Sequence, residues 1–317
     1  MIVETLPPLS HLLVMLGALL LAGAGAGFIA GLLGIGGGII IVPALYQVFS
    51  NLDVSADIRM HVAVGTSLAT IVATGFRSAR AHHRRGAVDL DLLKQWIVPV
   101  VVGAVAGSVV SDLVSGAALT AIFAVVALGI ALQMTVIRPE MRLTDRLPGQ
   151  PIRSIMATVI GLISTMMGIG GGMLTVPSLR LCNYPTRNAV ATASAVGFLI
   201  AVPATLGFIT AGWGTQGLPP LSLGYVNLLG FVIIAPATVS MAPFGARVAH
   251  TIPQTVLRVL FGVFLLVERL PERLDVDAPL GELLVANAAQ AVPHRLGLPF
   301  GEVVADPVAD AGEHVVD

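Results

Sequence analysis

The sequence predicts an all-α integral membrane protein made of two inverted repeats. In each repeat, a glycine-broken helix or hairpin precedes about three transmembrane helices. Two observations predict this class: 56% of the 317 residues are hydrophobic against 11% charged, and one glycine-rich segment occurs twice. Soluble domains carry about 25% charged residues, so the composition excludes most soluble enzymes and nucleic-acid binders. The bilayer is the expected surrounding, and no nucleic-acid partner is expected.

Apolar stretches of membrane-spanning length recur along the chain, since a transmembrane helix needs about 20 predominantly apolar residues. They lie near 10–49, 59–79, 92–111, 114–137, 152–182, 187–211, 222–246 and 254–269. The first and fifth are too long for one span, and glycines interrupt both. The first ten residues carry Glu4 and no lysine or arginine. We therefore expect the first stretch to be a retained membrane segment and not a secretory signal.

The two long stretches are copies of one another. From Gly27 the chain reads GFIAGLLGIGGGIIIVPAL, and from Gly161 it reads GLISTMMGIGGGMLTVPSL, with ten of nineteen positions identical and an offset of 134 residues. Such self-similarity indicates an internal duplication. We divide the chain into a first membrane repeat (1–140), a cytoplasmic linker (141–153), a second membrane repeat (154–270) and an acidic tail expected to be disordered (271–317).

Arginine-rich loops predict the orientation, because short cytoplasmic loops collect Lys and Arg. The loop after 59–79, the linker and the turn near Arg247 are basic, whereas the loops near 112–116 and 212–221 are not. The segment 152–182 must then return to the side that it left, which makes the repeats inverted. If Arg180 and Arg187 do not mark an inside loop, a parallel arrangement of the repeats stays open. Small-residue steps predict close helix packing within the chain or in a homodimer; these are Gly23, Gly27, Gly31, Gly103 and Gly107.

The glycine runs predict breaks in membrane helices, because each glycine costs about 1 kcal/mol relative to alanine in a helix. A helix that resumes after the run presents free N–H groups and its positive dipole end, which suits an anion. The predicted binding glycines are Gly36, Gly37, Gly38, Gly170, Gly171 and Gly172. Pro43 and Pro177 are expected in the first turn of each resumed helix. The alternative is a glycine seam that serves only helix packing.

Polar residues that follow the breaks are candidates to complete the site. The predicted hydroxyl donors are Thr66, Ser67, Thr192 and Ser194. Ser67 and Ser194 are equivalent if the preceding loop is seven residues shorter in the second copy. Neutral hydroxyls can donate to an oxyanion without the cost of a buried charge, although interhelical hydrogen bonds are the alternative role. His61 is a candidate proton carrier or an interfacial structural histidine.

These residues resemble the TauE/SafE sulfite-exporter family. The resemblance covers about residues 10–270 and rests on the paired glycine-rich segments, the Thr66–Ser67 element, the basic loop from Arg80 to Asp89 and the later Gly245-Ala246-Arg247. It implies export, sometimes uptake, of small sulfur-containing anions such as sulfite, organosulfonates or thiosulfate. A thiosulfate-importing branch of the family relies on several cysteines, and Cys182 is the only cysteine here, so that route is not expected.

The expected function is therefore a secondary transporter in the inner (plasma) membrane that exports a small sulfur oxyanion or organosulfonate. Helix N-termini at the two breaks would hold the anion while the repeats alternate in access. No cofactor, metal or catalytic residue is expected. A passive small-anion channel and a membrane-embedded enzyme are the alternatives; the apolar stretches contain no paired acids that favour the enzyme. The sequence leaves open the anion, the coupling ion and the direction of transport.

Overall fold

The computed structural model describes residues 16–17, 19–28, 37–136, 144 and 147–248, and most of them are helical. The helices begin with α1 (Leu19–Phe28). Then follow α2 (Gly38–Asn51), α3 (Ala56–Arg84), α4 (Leu90–Leu113), α5 (Gly116–Val136), α6 (Ile152–Met167), α7 (Gly172–Leu181) and α8 (Thr186–Ala211). A hairpin of β1 (Ser222–Leu223) and β2 (Val226–Asn227) leads to α9 (Leu228–Val248). The predicted tail, 271–317, and the last predicted span, 254–269, lie outside the described residues.

The predicted all-α membrane class is confirmed. Three of the described helices, α3, α4 and α8, are long and apolar enough to cross a membrane, and shorter apolar helices accompany them. Helix α4 has one exposed apolar face and one face that is buried in the protein. Val98, Val102, Val105 and Val109 are exposed at helical spacing, whereas Trp96 is fully buried. In a bilayer, the valine face would contact lipid while the other face packs in the protein.

The predicted break in the second repeat is confirmed, and glycines make it possible. Helix α6 ends at Gly168, which has a left-handed φ of 68°, and Gly171 precedes α7 with a φ of 74°. The N–H of Ile169 donates to Ser164 O at 3.2 Å, which closes the α6 terminus in the usual glycine-ended manner. Residues with a Cβ rarely adopt this backbone region, so the glycine run dictates where the helix stops.

The first repeat resumes its helix in the same way. Gly37 precedes α2 with a φ of 63°, and its carbonyl accepts from Ile40 N and Ile41 N. Gly37 and Gly171 are 134 positions apart, which is the offset of the duplicated sequence. The expectation for the prolines was wrong, because the helices begin at the third glycine of each run. Pro43 and Pro177 are therefore the sixth helical residues and lie in the second turn.

Glycines let helices of one repeat pack directly on helices of the other. A Cβ on Gly103 of α4 would lie 2.1 Å from Thr158 O of α6, and one on Gly107 would lie 2.6 Å from Leu162 O. A Cβ on Gly27 of α1 would lie 2.2 Å from Thr238 O of α9. The predicted close-approach faces are thus confirmed within the chain for these glycines, whereas Gly31 lies outside the described residues. The first helix of each repeat, α1 or α6, therefore packs against a helix of the other repeat.

The third helix of each repeat has a different offset from the breaks. Asp53 and Asn183, which precede α3 and α8, both have a left-handed φ, of 55° and 57°. They are 130 positions apart, so the second copy is four residues shorter here and not seven. The counterpart of Ser67 is accordingly Gly197, and the expected equivalence of Ser67 with Ser194 was wrong. The four residues are missing from α7, which has 10 residues against the 14 of α2.

Candidate functional site

The two breaks meet inside the protein. Gly37, Gly38, Gly170, Gly171 and Gly172 are all buried. A Cβ on Gly38 would lie 2.3 Å from Gly168 O and 2.8 Å from Ile169 Cα, so the first turn of α2 packs on the second break. Of the predicted glycines, Gly36 lies outside the described residues.

Ser67 ties α3 of the first repeat to the second break. Its Oγ donates to Gly168 O at 2.7 Å, and the side chain is fully buried. Its counterpart, Gly197 of α8, packs on the same break, because a Cβ there would lie 2.3 Å from Gly170 O. Among the predicted hydroxyl residues, Ser67 is the one whose hydroxyl contacts a break.

Three hydroxyls beside the second break have no hydrogen-bond partner among the described residues. They are Ser164 Oγ, Thr165 Oγ1 and Thr175 Oγ1, and all three side chains are fully buried. Ser164 and Thr165 lie in the last turn of α6, and Thr175 lies one turn after Gly171 in α7. Ser164 Oγ is 3.7 Å from the place where a Cβ on Gly171 would be. It therefore lies beside the N-terminus of α7.

Such hydroxyls are costly unless something else satisfies them. A buried polar group without a partner destabilises a protein by about 1–3 kcal/mol, and nearly all buried polar groups are paired. Of these three groups, Ser164 Oγ lies beside a helix N-terminus, which itself favours negative charge, whereas Thr165 Cβ lies 2.9 Å from the place of a Cβ on Gly107 of α4. Ser164 can therefore donate a hydrogen bond to an anion at this N-terminus. A fourth unpaired group, Trp96 Nε1, lies apart from them in an apolar cluster with Leu179 and Val196.

The sequence reasoning missed these three hydroxyls, although a signal was present. In the aligned copies, Ser164, Thr165 and Thr175 replace Ala30, Gly31 and Ile41. Identity between the copies does not point to these positions, because they are places where the second copy differs from the first by a gained polar group. The gain of three hydroxyls at one break was the available signal.

Thr66 and Thr192 hold helix caps that join the repeats. Thr192 Oγ1 of α8 accepts from Asp89 N at 3.0 Å, and Thr66 Oγ1 of α3 accepts from Asn227 N at 2.9 Å. Asp89 and Asn227 in turn cap α4 and α9: Asp89 Oδ1 accepts from Leu92 N at 2.9 Å, and Asn227 Oδ1 accepts from Gly230 N at 2.8 Å. Each threonine therefore anchors a cap of the other repeat, and its hydroxyl is occupied away from the breaks.

Ser194 also has a partner already. Its Oγ donates to Val190 O at 3.0 Å and accepts from Ser78 Oγ at 3.3 Å. It thereby links α8 to α3 one turn before Gly197. The structure thus brings Gly38, Ser67 and the glycines of the second break together, and it engages the Thr192 and Ser194 hydroxyls elsewhere.

The cap residue Asp89 also contacts the second repeat through its side chain. The Tyr184 hydroxyl donates to Asp89 Oδ2. Burial alone would raise the Asp89 pKa, but hydrogen bonds from Leu92 N–H, the Tyr184 hydroxyl and Asp91 N–H together lower it. Burial and the bond to Asp89 both raise the pKa of Tyr184. Asp89 is therefore an ionised acceptor and Tyr184 a neutral donor across the repeat interface.

His61 lies in α3 with both ring nitrogens facing backbone oxygens. Nε2 is 2.8 Å from Ser111 O, and Nδ1 is 3.1 Å from Asp57 O. A neutral imidazole can donate only one of these bonds, whereas the doubly protonated ring can donate both. The side chain is 4% exposed and its ring centroid is 5.1 Å from that of Tyr225. His61 is therefore buried, and it precedes Ser67 by about 9 Å along the helix axis.

Comparison with known proteins identifies the family. The family described as sulfite exporter TauE/SafE matches residues 19–268. A "Probable membrane transporter protein" of Haemophilus influenzae is 34% identical over 252 residues, which cover 78% of this chain and 94% of the relative. Another from Methanocaldococcus jannaschii is 25% identical over 257 residues, covering 80% and 93%. A third, YunE of Bacillus subtilis, is 28% identical over 214 residues, covering 61% and 78%.

No solved structure matches the chain, so the candidate site is inferred from the geometry of this chain alone. The family match spans the described helices, and both the family and the relatives are described as transporters. The chain therefore belongs to the TauE/SafE sulfite exporter family and is a multi-pass membrane transporter, not an enzyme.

Proposed function

We propose that the chain is a secondary transporter that exports small sulfur-containing anions, such as sulfite or organosulfonates. The observation that carries this proposal is the set of three buried hydroxyls in α6 and α7 that have no hydrogen-bond partner among the described residues. A neutral donor set holds an anion without burying a permanent opposite charge in the membrane. The family description, a sulfite exporter, supports a sulfur oxyanion as the cargo.

The anion would be bound at the second break, where α6 ends and α7 begins. Ser164, Thr165 and Thr175 would donate their hydroxyl hydrogens to its oxygens, and the N–H groups of the first turn of α7 would complete the shell. Gly171 has no side chain, so the anion can approach the backbone closely. Binding would satisfy the hydroxyls that lack partners in the described residues.

Alternating access would move the two repeats against each other. We propose that the repeats are inverted and that the seam between α2 and the second break opens and closes. The contact of Gly38 with Gly168 and the bond from Ser67 Oγ to Gly168 O support this seam. Discontinuous helices at a repeat interface are the usual site in such transporters.

Export is favoured by the membrane potential. An inside-negative potential drives an anion outward by about 2.3 kcal/mol per charge per 100 mV. If proton movement accompanies the anion, His61 is the proposed carrier, because its two carbonyl neighbours can accept from a doubly protonated ring. Proton coupling would link the anion flux to the pH gradient as well as to the potential.

The test is counterflow of labelled sulfite in proteoliposomes. A carrier predicts saturable uptake that unlabelled sulfite inside the vesicles accelerates, because the loaded carrier returns faster than the empty one. Repeating the assay with an imposed pH gradient, with wild type and His61→Gln, tests the coupling. Uptake that never saturates and shows no acceleration would identify a passive channel. Absence of sulfite and organosulfonate flux above that of empty vesicles would overturn the substrate.

A further inference from the structure

Two polar contacts join the repeats, and neither uses the hydroxyls of the proposed site. In the first, which we call the α4-cap contact, Asp89 N donates to Thr192 Oγ1 at 3.0 Å and the Tyr184 hydroxyl donates to Asp89 Oδ2. In the second, the α9-cap contact, Asn227 N donates to Thr66 Oγ1 at 2.9 Å. Each contact joins the residue before a helix of one repeat to a long helix of the other repeat.

The two contacts lie at opposite ends of the α3–α8 pair, because these two helices run antiparallel. Ser78, near the end of α3, donates its hydroxyl to Ser194 Oγ, near the start of α8, at 3.3 Å. A Cβ on Gly65, near the start of α3, would lie 3.2 Å from Phe208 Cδ1, near the end of α8. The α4-cap contact is therefore at the C-terminal end of α3, and the α9-cap contact is toward its N-terminal end.

The second break lies between the two contacts. A Cβ on Gly170 would lie 2.6 Å from Ile71 Cγ2 of α3, and a Cβ on Gly197 of α8 would lie 2.3 Å from Gly170 O. Thr66 is five residues before Ile71, which is about 7.5 Å along α3. Thr192 is five residues before Gly197, which is about the same distance along α8. Because the helices are antiparallel, the two threonines are on opposite sides of Gly170.

Helix capping alone does not require these contacts. Asp89 caps α4 through Oδ1, which accepts from Leu92 N in the same repeat. Asn227 caps α9 in the same way, through the bond from Gly230 N. Both caps would persist if the repeats separated, whereas the bonds to the threonines would break. The bonds between the repeats are therefore the ones that a relative movement of the repeats disrupts.

The two contacts differ in charge. The α4-cap contact contains a carboxylate that accepts from the Tyr184 hydroxyl, and hydrogen bonds to an ionised group are roughly twice as strong as neutral ones. The α9-cap contact is neutral, and the side-chain amide of Asn227 donates to Pro220 O and Ser222 Oγ within its own repeat. We therefore expect the α4-cap contact to hold the repeats together more firmly.

We propose that the α4-cap and α9-cap contacts are the two gates of the transporter and that they break in alternation. Breaking the α4-cap contact would open the second break toward the C-terminal end of α3, and breaking the α9-cap contact would open it toward the other end. Alternating access needs a closure on each side of the bound anion. The gate role rests on the proposed transport function, whereas opening at the α4 cap can be measured without transport.

Cys182 is a native reporter of opening at the α4 cap. It is the only cysteine of the chain and lies two residues before Tyr184, and it is partly buried. The full chain is labelled with a maleimide in nanodiscs without sulfite, and the labelling rate is measured. Tyr184→Phe should speed labelling at least about fivefold, because it removes a bond to a carboxylate. Thr192→Val, which removes the other bond to Asp89, should also speed it.

The opposite gate should have the opposite effect on Cys182. Thr66→Val weakens the α9-cap contact, so more molecules are open at the far end, and labelling should slow at least about twofold. Thr66→Ser keeps the hydroxyl and should keep the wild-type rate. A second control, Thr205→Val, removes a hydroxyl that bonds within α8, to Ala201 O, and should also leave the rate unchanged.

The two signs separate gating from a purely structural role. If the contacts only stabilised the fold, Tyr184→Phe and Thr66→Val would both loosen the protein and speed labelling. Unchanged or faster labelling in Thr66→Val would overturn the alternation of the gates. Unchanged labelling in both Tyr184→Phe and Thr192→Val would overturn the α4-cap contact as a gate.

The transport consequence is a KM that changes differently on the two sides of the membrane. A variant that favours one open state makes the binding-competent state more abundant for anions that arrive from that side. Tyr184→Phe should therefore lower the KM for sulfite from the α4-cap side at least about threefold and raise it from the other side. Equal KM changes on both sides would contradict the two gates. If Cys182 labelling responds as expected but the wild type shows no flux of sulfite or organosulfonate, the proposed function fails and the alternating opening stands.

Discussion

The helices that resume after the two breaks begin with the same backbone turn, but the two copies differ in their side chains. Gly37 and Gly171 have nearly the same left-handed φ and start equivalent helices. In the helices on either side of the second break lie Ser164, Thr165 and Thr175, whose hydroxyls have no partner in the part of the chain that the structure describes. The corresponding residues of the first copy are Ala30, Gly31 and Ile41, none of which has a hydroxyl.

The difference shows that two copies of one segment can keep the same glycine-capped helix start while their side chains take on different roles. The first turn of α2 packs against Gly168 and Ile169 of the second break, so the first break serves the contact between repeats. The second break has donors that nothing in the described chain satisfies. On our account, the first break is structural and the second binds the anion.

The largest effect should come from a side chain at either glycine cap. Gly171→Val forces a β-branched residue into a left-handed φ, at a cost of about 1–3 kcal/mol. Its Cβ would also lie 2.3 Å from Ile200 Cδ1. Gly37→Val meets the backbone, since its Cβ would lie 2.9 Å from Ala26 O. We expect both variants to insert in the membrane and to lose sulfite flux.

Gly129→Val is the matched control for this pair. Gly129 lies in α5, and a Cβ there would meet nothing within 4 Å. Its flux should stay near the wild-type value. Wild-type flux in Gly171→Val, measured at equal protein per vesicle, would contradict the placement of the site at the second break.

A smaller effect is expected when the first break is given a hydroxyl of its own. Ile41 is fully buried, and it corresponds to Thr175. Ile41→Thr should lower the stability by about 1–3 kcal/mol, because the new hydroxyl is buried without a designed partner. The melting temperature in detergent should fall, and the KM for sulfite should not improve. A lower KM with unchanged stability would show that the two breaks are interchangeable.

The positions of the breaks could be predicted from the sequence, because a run of three glycines fixes where a helix stops. The glycine contacts between helices were also predictable, because small residues four positions apart lie on one face of a helix and allow close packing. The hydrogen-bond partners of the hydroxyls could not be predicted from the sequence. Thr66 and Thr192 follow the breaks in sequence, yet their hydroxyls hold the caps at Asn227 and Asp89.

The register of α8 was unpredictable for a related reason. Helix α7 has 10 residues where α2 has 14, and the matching left-handed φ angles of Asp53 and Asn183 show that the turns after these helices are equivalent. Ser and Thr in membrane helices usually bond to a carbonyl one turn back. Sequence cannot show which of them, such as Thr175, fail to do so.

The central claim is that the unpaired hydroxyls of the second break bind the anion. It is tested most directly by combining Ser164→Ala, Thr165→Val and Thr175→Val and measuring both stability and transport. Thr158→Val is the control, because Thr158 Oγ1 in α6 already donates to Ser154 O.

We predict that the triple variant melts at or above the wild-type temperature, since it removes unsatisfied buried groups. Sulfite should no longer raise the melting temperature of this variant. Its KM should rise at least about tenfold, because the loss of one hydrogen bond to a charged group costs about 1.5 kcal/mol. A lower melting temperature together with a wild-type KM would contradict the account, because the hydroxyls would then be structural.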